Sequence, residues 1–266
     1  MNLKNARVLL TGATGGIGAA TARELARAGA QLAVADRNGE ALQKLCSEII
    51  ARGGRAQPVV ADLGGSAGRQ ALAEEASRRL GGVDLLVNIA GLLDFTPFEA
   101  EDPAAIERLM QVNLIAPIQL ARLLLPAMLR QARGRIVNVG STFGTIGFPF
   151  FAAYSASKFG LRGFSQALRR ELHGSGVGVT YIAPRATRTP LNSSAVVRMN
   201  EALKVAMDPP EQVAAAIVRA IGQERDEVYL GWPEKLFVRL NAILPGLVDG
   251  ALRKQHAIMH KFAHGA

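Results

Sequence analysis

The sequence predicts one α/β domain: a doubly wound sheet of seven parallel strands with helices on both faces, followed by an amphipathic helical extension at the C-terminus. Three observations predict it. Short apolar runs alternate strictly with longer stretches of helical periodicity, and such alternation implies right-handed crossovers between parallel strands. The runs are nearly continuous in Val, Leu and Ile, as strands buried on both faces require. No internal repeat or low-complexity linker divides the 266 residues, and a composition 49% hydrophobic and 20% charged suits one large core.

Taken in order, the strands read at Arg7–Leu10, Gln31–Ala35, Ala56–Ala61, Asp84–Asn88, Arg135–Val139, Val177–Ile182 and Glu227–Leu230. Helical stretches fall between them at Ile17–Ala28, Gly39–Arg52, Ser66–Leu80, Pro103–Gln131, Ala153–Leu172 and Pro209–Gly222. This is the Rossmann-type plan. Pro126 is expected to kink the long fourth stretch, which reads as one helix or as two meeting near Asn113. Residues 189–206 form a polar, partly helical insertion. Residues 1–231 make the domain, and residues 232–266 form a basic tail. In that tail Leu236, Phe237, Leu240, Ile243, Leu244, Leu247 and Val248 recur at helical spacing, interrupted by Pro245, with Lys235, Arg239, Arg253, Lys254 and Lys261 on the other positions.

A formal charge of +9 points to anionic partners. With no lysine/arginine block and only 5% aromatic residues, stacking platforms for nucleic acid are absent and no nucleic-acid partner is expected. A single cysteine, Cys46, excludes an intramolecular disulfide framework, suits a reducing compartment and reads as a small buried apolar residue. The N-terminus lacks the unbroken apolar core of a signal peptide. The uncharged run Ile136–Ser157 is broken by Gly140, Gly144, Gly147 and Pro149, so it reads as a buried strand and a loop rather than a membrane span. A cytoplasmic protein is expected.

The stretch "TGATGGIG", Thr11–Gly18, sits between the first strand and the first helix. Gly12, Gly16 and Gly18 let the backbone turn, approach a pyrophosphate and pack the helix on the sheet, while the helix N-terminus offers free N–H groups to phosphates. Asp36, ending the second strand, would accept bonds from ribose hydroxyls and repel a 2′-phosphate, favouring NAD. Arg37 would pair with that phosphate instead, and NADP stays possible. Farther on, "YSASK" puts Tyr154 and Lys158 one helical turn apart, on one face.

Together these motifs resemble the short-chain dehydrogenases/reductases, from about residue 6 to residue 230. Asp62-Leu63 matches the family's acidic residue near the adenine, and "NIAG", Asn88–Gly91, resembles its "NNAG", with Ile89 in place of the second Asn. Asn113, Ser141, Tyr154 and Lys158 match its catalytic tetrad. The resemblance implies cofactor contacts at Gly12, Thr14, Gly16, Ile17, Gly18, Asp36, Arg37, Asp62 and Leu63. It implies others at Asn88, Ala90, Gly91, Tyr154, Lys158, Pro184 and Thr189. It also implies that Tyr154 exchanges a proton with the substrate oxygen, Ser141 holds that oxygen, and Asn113 holds a water relaying protons to Lys158. A tyrosine with an ordinary pKa of about 10 is a poor base at neutral pH, so the Lys158 ammonium and the nicotinamide are expected to lower it. One departure stands out: where the family carries "PG" after the sixth strand, this chain reads "PRATRTP", with Arg185 in place of the glycine.

Phe143, Ile146, Phe148, Phe150 and Phe151, with Leu92, Leu93 and Phe95, read as the wall of a pocket for a hydrophobic alcohol or ketone. Arg185 and Arg188 are candidates to hold a substrate carboxylate from the opposite side. His256, His260 and His264 read as a solvated helix face, and no metal site is expected. The expected function is NAD(P)-dependent interconversion of a lipophilic secondary alcohol and its ketone. The alternative is a cofactor-binding sensor or membrane-associated scaffold without turnover. The resemblance implies a homodimer or homotetramer, with the helices near residues 111–130 and 153–172 as faces. The tail reads as a lid over the cleft, a subunit interface, or a helix lying on anionic lipid.

Overall fold

The computed structural model describes residues 1–264. Its strands, β1 (Arg7–Thr11), β2 (Gln31–Asp36), β3 (Arg55–Val60), β4 (Leu85–Asn88), β5 (Gly134–Val139), β6 (Val177–Ala183) and β7 (Glu227–Tyr229), form one parallel sheet in the order β3-β2-β1-β4-β5-β6-β7. The helices are α1 (Gly16–Arg27), α2 (Gly39–Ala51), α3 (Ser66–Leu80), α4 (Pro103–Met110), α5 (Ala116–Arg130), α6 (Ala152–Glu171), α7 (Ser194–Ala202), α8 (Pro210–Gly222), α9 (Glu234–Ile243) and α10 (Pro245–Ala263). The doubly wound plan holds, with element ends within a residue or two of those read from periodicity.

Side-chain alternation along each strand divides the core in two. Val8 and Leu10 of β1 face one layer, with Val34, Val87 and residues of α1, α2 and α8. Leu9 faces the other, with Leu86, Ile136 and residues of α3, α5 and α6. Cys46 is buried in the first layer, as read from the sequence.

The fourth helical stretch is α4 and α5 joined by a π turn, Gln111–Ile115, centred on Asn113; Pro126 lies inside α5. This stretch, residues 103–130, is long and apolar enough to cross a membrane by length and composition. Here it packs against α3, α6 and β5 as a core helix of the sheet.

Two features bring the site together. Strand order reverses between β1 and β4, so the segments after them diverge at a crevice, the usual ligand position in open α/β sheets. Thr11 Oγ1 accepts the N–H groups of Ile89 and Ala90 at 3.3 and 3.4 Å, tying the two edges of that crevice together. A buried polar chain then fixes α6 to the sheet. Asn88 Nδ2 donates to Asn138 Oδ1 at 2.8 Å, Asn138 Nδ2 to Ser165 Oγ at 2.9 Å, and Ser165 Oγ to Leu161 O at 2.7 Å. Polar groups buried this deeply are expensive unless bonded, so the chain fixes where α6 can sit.

Candidate active site

The glycine loop forms because its positions have no room for side chains. Gly12 is left-handed (φ +68°), and a Cβ there would lie 2.6 Å from Ala90 Cα. At Gly18 a Cβ would strike the carbonyl oxygen of Gly12. No side chain caps the N-terminus of α1, which leaves its first N–H groups for a ligand. Asp36 shapes the crevice floor, its Oδ2 accepting Thr14 N at 3.0 Å and its Oδ1 accepting Arg37 N at 2.7 Å. The Arg37 side chain is exposed. Thr189 closes the other side, close enough that a Cβ on Gly16 would lie 2.8 Å from its Cγ2.

Not every residue implied by the resemblance faces this crevice. The Asn88 amide is turned to Asn138, and Leu63 is buried in the core. Asp62 is exposed, accepting Gly64 N at 3.0 Å and pairing with Arg108 at 3.6 Å. Pro184 O accepts Thr142 N at 3.0 Å, which joins the end of β6 to the turn that carries Ser141.

The helix α6 sets Tyr154 and Lys158 one turn apart, both buried, with Lys158 Nζ 5.7 Å from the Tyr154 ring centre. Lys158 Nζ donates to Val139 O at 3.3 Å. Burial holds this ammonium down to about 8. Burial also pushes the Tyr154 phenol up to about 12, against a lowering hydrogen bond with Ser141. In the protein alone desolvation outweighs that bond, and the lowering expected from Lys158 acting together with the nicotinamide belongs to the cofactor-bound form. Asn113 is brought beside them, but its side chain clamps the backbone: Oδ1 accepts Leu92 N at 2.7 Å, and Nδ2 donates to Leu92 O at 2.9 Å and to Ser157 Oγ at 3.2 Å.

Sequence reasoning missed Tyr181. Its hydroxyl, on β6, accepts Ser141 N at 3.4 Å and donates to Ser141 O at 3.2 Å, so it braces the residue that lines the cavity beside Tyr154. Gly140 and Gly144 make room for it, since a Cβ on either would collide with the Tyr181 hydroxyl. A lone tyrosine in the strand "VGVTYIA" was the available signal, because a fully buried phenol needs a partner.

Beside Tyr154 lies a cavity of about 330 Å³, reaching from Ile17, Gly91 and Thr189 to the inner faces of α7, α9 and α10. Phe143, Ile146, Phe148, Phe151 and Leu93 line it, and the rings of Phe143 and Phe148 stack with centres 4.1 Å apart. Three residues read as wall do not line it: Leu92, Phe95 and Phe150 pack behind the others. The tail covers the cavity through Val248, Leu252 and Met259, with Phe237 at the margin. Its inward anchors are Val238, Val248 and Met259, whereas Leu236, Ile243, Leu244 and Leu247, read as part of the packing stripe, are exposed. His256, His260 and His264 lie around Phe150, their ring centres 5.3, 5.9 and 6.3 Å from it. Among the described residues no group of side chains is arranged to hold a metal. Arg185 is not available for a substrate carboxylate, because Asp208 and Glu234 already occupy its guanidinium.

A glycine loop at the switch point of a parallel sheet, opening onto a buried tyrosine–lysine pair, defines an NAD(P)-dependent oxidoreductase. Comparison with known proteins agrees. The short chain dehydrogenase family model matches residues 6–200. The "Hydroxysteroid 11-beta-dehydrogenase 1-like protein A" of Xenopus laevis is 35% identical, over 93% of this chain and 85% of the relative. A metagenomic short-chain oxidoreductase crystallised with NADP is 33% identical with a TM-score of 0.74, covering 86% of this chain and 97% of its own. A short chain dehydrogenase/reductase from Burkholderia phymatum in complex with NAD is 25% identical with a TM-score of 0.85, covering 93% and 96%. The chain belongs to the short-chain dehydrogenase/reductase family, and the crevice and its uncapped helix fit the nicotinamide cofactor those neighbours bind.

The buried ammonium has a measurable cost. Lys158 titrates near 8 when folded against an ordinary 10.5, so the unfolded chain holds the proton more tightly and folding is penalised at neutral pH. Between those values the penalty fades, and stability from this group rises with pH. Lys158→Met is expected to stabilise the cofactor-free protein by about 1–3 kcal/mol at pH 7, and by little near pH 10. Urea denaturation at the two pH values checks this.

Proposed function

We propose that the protein interconverts a secondary alcohol and a ketone on a lipophilic substrate, with Tyr154 as acid/base and NAD(H) as the preferred cofactor. The carrying observation is that Tyr154 lines an apolar cavity at the end of the crevice together with Ser141 and Lys158. Bound nicotinamide supplies the hydride chemistry. Ser141 holds the substrate oxygen, and Tyr154 moves a proton to or from it. A phenol kept protonated at neutral pH donates to a carbonyl oxygen; the reverse direction needs it ionised, and Lys158 is the cation that stabilises that form. Asn113 fixes the backbone of Leu92, between Gly91 and Leu93 of the cavity lining. The hydroxysteroid dehydrogenase-like relative supports a lipophilic substrate. A cofactor sensor without turnover would have no use for the Ser141–Tyr154–Lys158 arrangement.

The preference for NAD(H) rests on Asp36, whose carboxylate ends β2 at the crevice while Arg37 turns to solvent. A second reading concerns the tail. Where α9 meets α10, the end of α9 carries Ile243, the link Leu244 and the first turn of α10 Leu247, exposed by 77%, 51% and 61%, with Lys235, Arg239, Arg253 and Lys254 elsewhere on the two helices. An exposed apolar tip with basic flanks favours peripheral contact with anionic lipid, beside the helices that cover the cavity. A homo-oligomer through α5 and α6 is supported by Leu129 and Phe159, which stay exposed there.

Three outcomes test these readings. Tyr154→Phe is expected to keep fold and cofactor binding yet lower kcat by about 10²–10⁴-fold on an alcohol panel; near-normal turnover would sink the acid/base role. Comparative titration is expected to show tighter NAD(H) than NADP(H) binding, with Asp36→Ala moving the ratio toward NADP(H). Anionic liposomes are expected to co-sediment the full chain in a salt-sensitive way that Ile243→Ser/Leu244→Ser abolishes, and indifference to such liposomes would leave the tail as lid or interface alone.

A further inference from the structure

The position where family resemblance expects glycine carries the most heavily bonded arginine near the cavity. Arg185 Nε and Nη2 donate to Asp208 Oδ2 and Oδ1 at 3.0 and 2.7 Å, a two-pronged pair. Its Nη1 donates to Glu234 Oε2 at 3.2 Å and to Trp232 O at 3.1 Å. One guanidinium thus ties three segments: the end of β6, the stretch between the 189–206 insertion and α8, and the start of the tail.

The room for this side chain comes from its neighbour across the sheet. Strand β6 pairs with β7, and just past β7 Gly231 adopts a left-handed conformation (φ +88°). A Cβ there would meet Arg185 Cδ, and would lie 2.8 Å from Nε. The glycine expected after β6 is replaced by arginine, and bare backbone after β7 accommodates it.

The two carboxylates are not equivalent. Asp208 is held on both sides by backbone, its N–H donating to Ala186 O at 2.9 Å and its carbonyl accepting Arg188 N at 3.0 Å. Its side chain is 10% exposed. Glu234 is 26% exposed, bonds through one oxygen, and opens the first turn of α9. Releasing Glu234 leaves the guanidinium still paired with Asp208, so no buried charge is orphaned; releasing Asp208 would orphan one. Glu234 in turn moves toward water and keeps the favourable helix N-terminus. Beyond this point α9 and α10 are fastened by Asn241 Nδ2 donating to Thr145 O at 2.9 Å and by Val238 and Val248 packing with Ile146.

We propose that Arg185 is a latch, anchored on Asp208 and closing on Glu234 and the Trp232 carbonyl, that holds α9–α10 over the catalytic cavity and opens at the Glu234 half to admit a lipophilic substrate. Arg185 is a positioning residue: it acts through the lid. That the cavity takes such a substrate rests on the function proposed above; that the latch governs the lid does not.

Hydrogen exchange on the full chain with NAD(H), comparing the parent with Glu234→Gln, Arg185→Lys and Arg185→Ala, tests it without requiring turnover. Amides of residues 234–259 are expected to exchange about three- to tenfold faster in Glu234→Gln. The effect should be larger in Arg185→Ala and intermediate in Arg185→Lys, which keeps the charge but not the fork. Strand amides should be unchanged. On any alcohol the parent oxidises, Glu234→Gln is expected to raise KM while kcat stays within about twofold, the pattern of lost binding rather than lost chemistry. Lid amides exchanging at the parent rate in Glu234→Gln would overturn the latch, as would acceleration spread evenly over the sheet. If Arg185→Ala fails to fold, Glu234→Gln decides alone. If no alcohol or ketone is turned over by any form, the proposed function fails while the exchange result still decides the latch.

Discussion

The structure is organised around a lysine ammonium kept out of water. Lys158 is 4% exposed, and the partner resolved for its Nζ is a single backbone carbonyl, Val139 O. A buried charge that lightly compensated does not stay where it is by itself. It stays because α6 has no freedom to turn it outward. Ser165, two turns farther along, is bonded through Asn138 to Asn88, and the aliphatic face of α6 fills the layer beneath the sheet. The fold's stability therefore supports a local arrangement that is unfavourable in isolation, as strained or desolvated groups at functional sites commonly are.

The same reasoning extends to the phenol beside it. Tyr154 sits in an apolar cluster with Phe143, Phe151 and Leu109, and that environment keeps it neutral in the protein alone. Ser141, which lines the cavity with it, is held through its backbone by Tyr181 from the neighbouring strand. A wall braced in this way has little freedom left to lose, which is how a rigid scaffold holds a site in shape before a ligand arrives.

Much of this was legible in the sequence, and the illegible part has a common cause. Parallel strands buried on both faces announce themselves as continuous Val/Leu/Ile runs, so the sheet and its crossovers could be read from Arg7 to Tyr229. The glycine loop and the Tyr154–Lys158 spacing are local in the chain, and local geometry converts spacing into position. Contacts between distant segments were not readable. Nothing adjacent to Tyr181 points to Ser141, forty residues away. The partners of Arg185 lie 23 and 49 residues off, so it read as a free cation. The tail's apolar residues showed a helical period, but a period does not say which face is covered; Val238 and Met259 turned inward while Ile243 and Leu247 did not. Two helices meeting near Asn113 was one of two readings of that stretch, and periodicity could not reveal that the junction is a π turn.

That π turn has a consequence for how the domain can vary. Each α-helical residue advances the side-chain direction by about 100°. Before the turn, Leu109 of α4 faces the cluster around Tyr154; after it, Leu120, Leu124 and Met128 of α5 face the layer under the sheet. One continuous rod thus serves two separate cores, with the π turn lying between them. A π turn holds one residue more than the α-helical turn it replaces, so removing one residue from 111–115 would restore regular winding with the side chains of both halves still facing their cores. The segment is thus a joint that can give up the one residue it holds in excess, whereas a further insertion would turn one half against the other by about 100°.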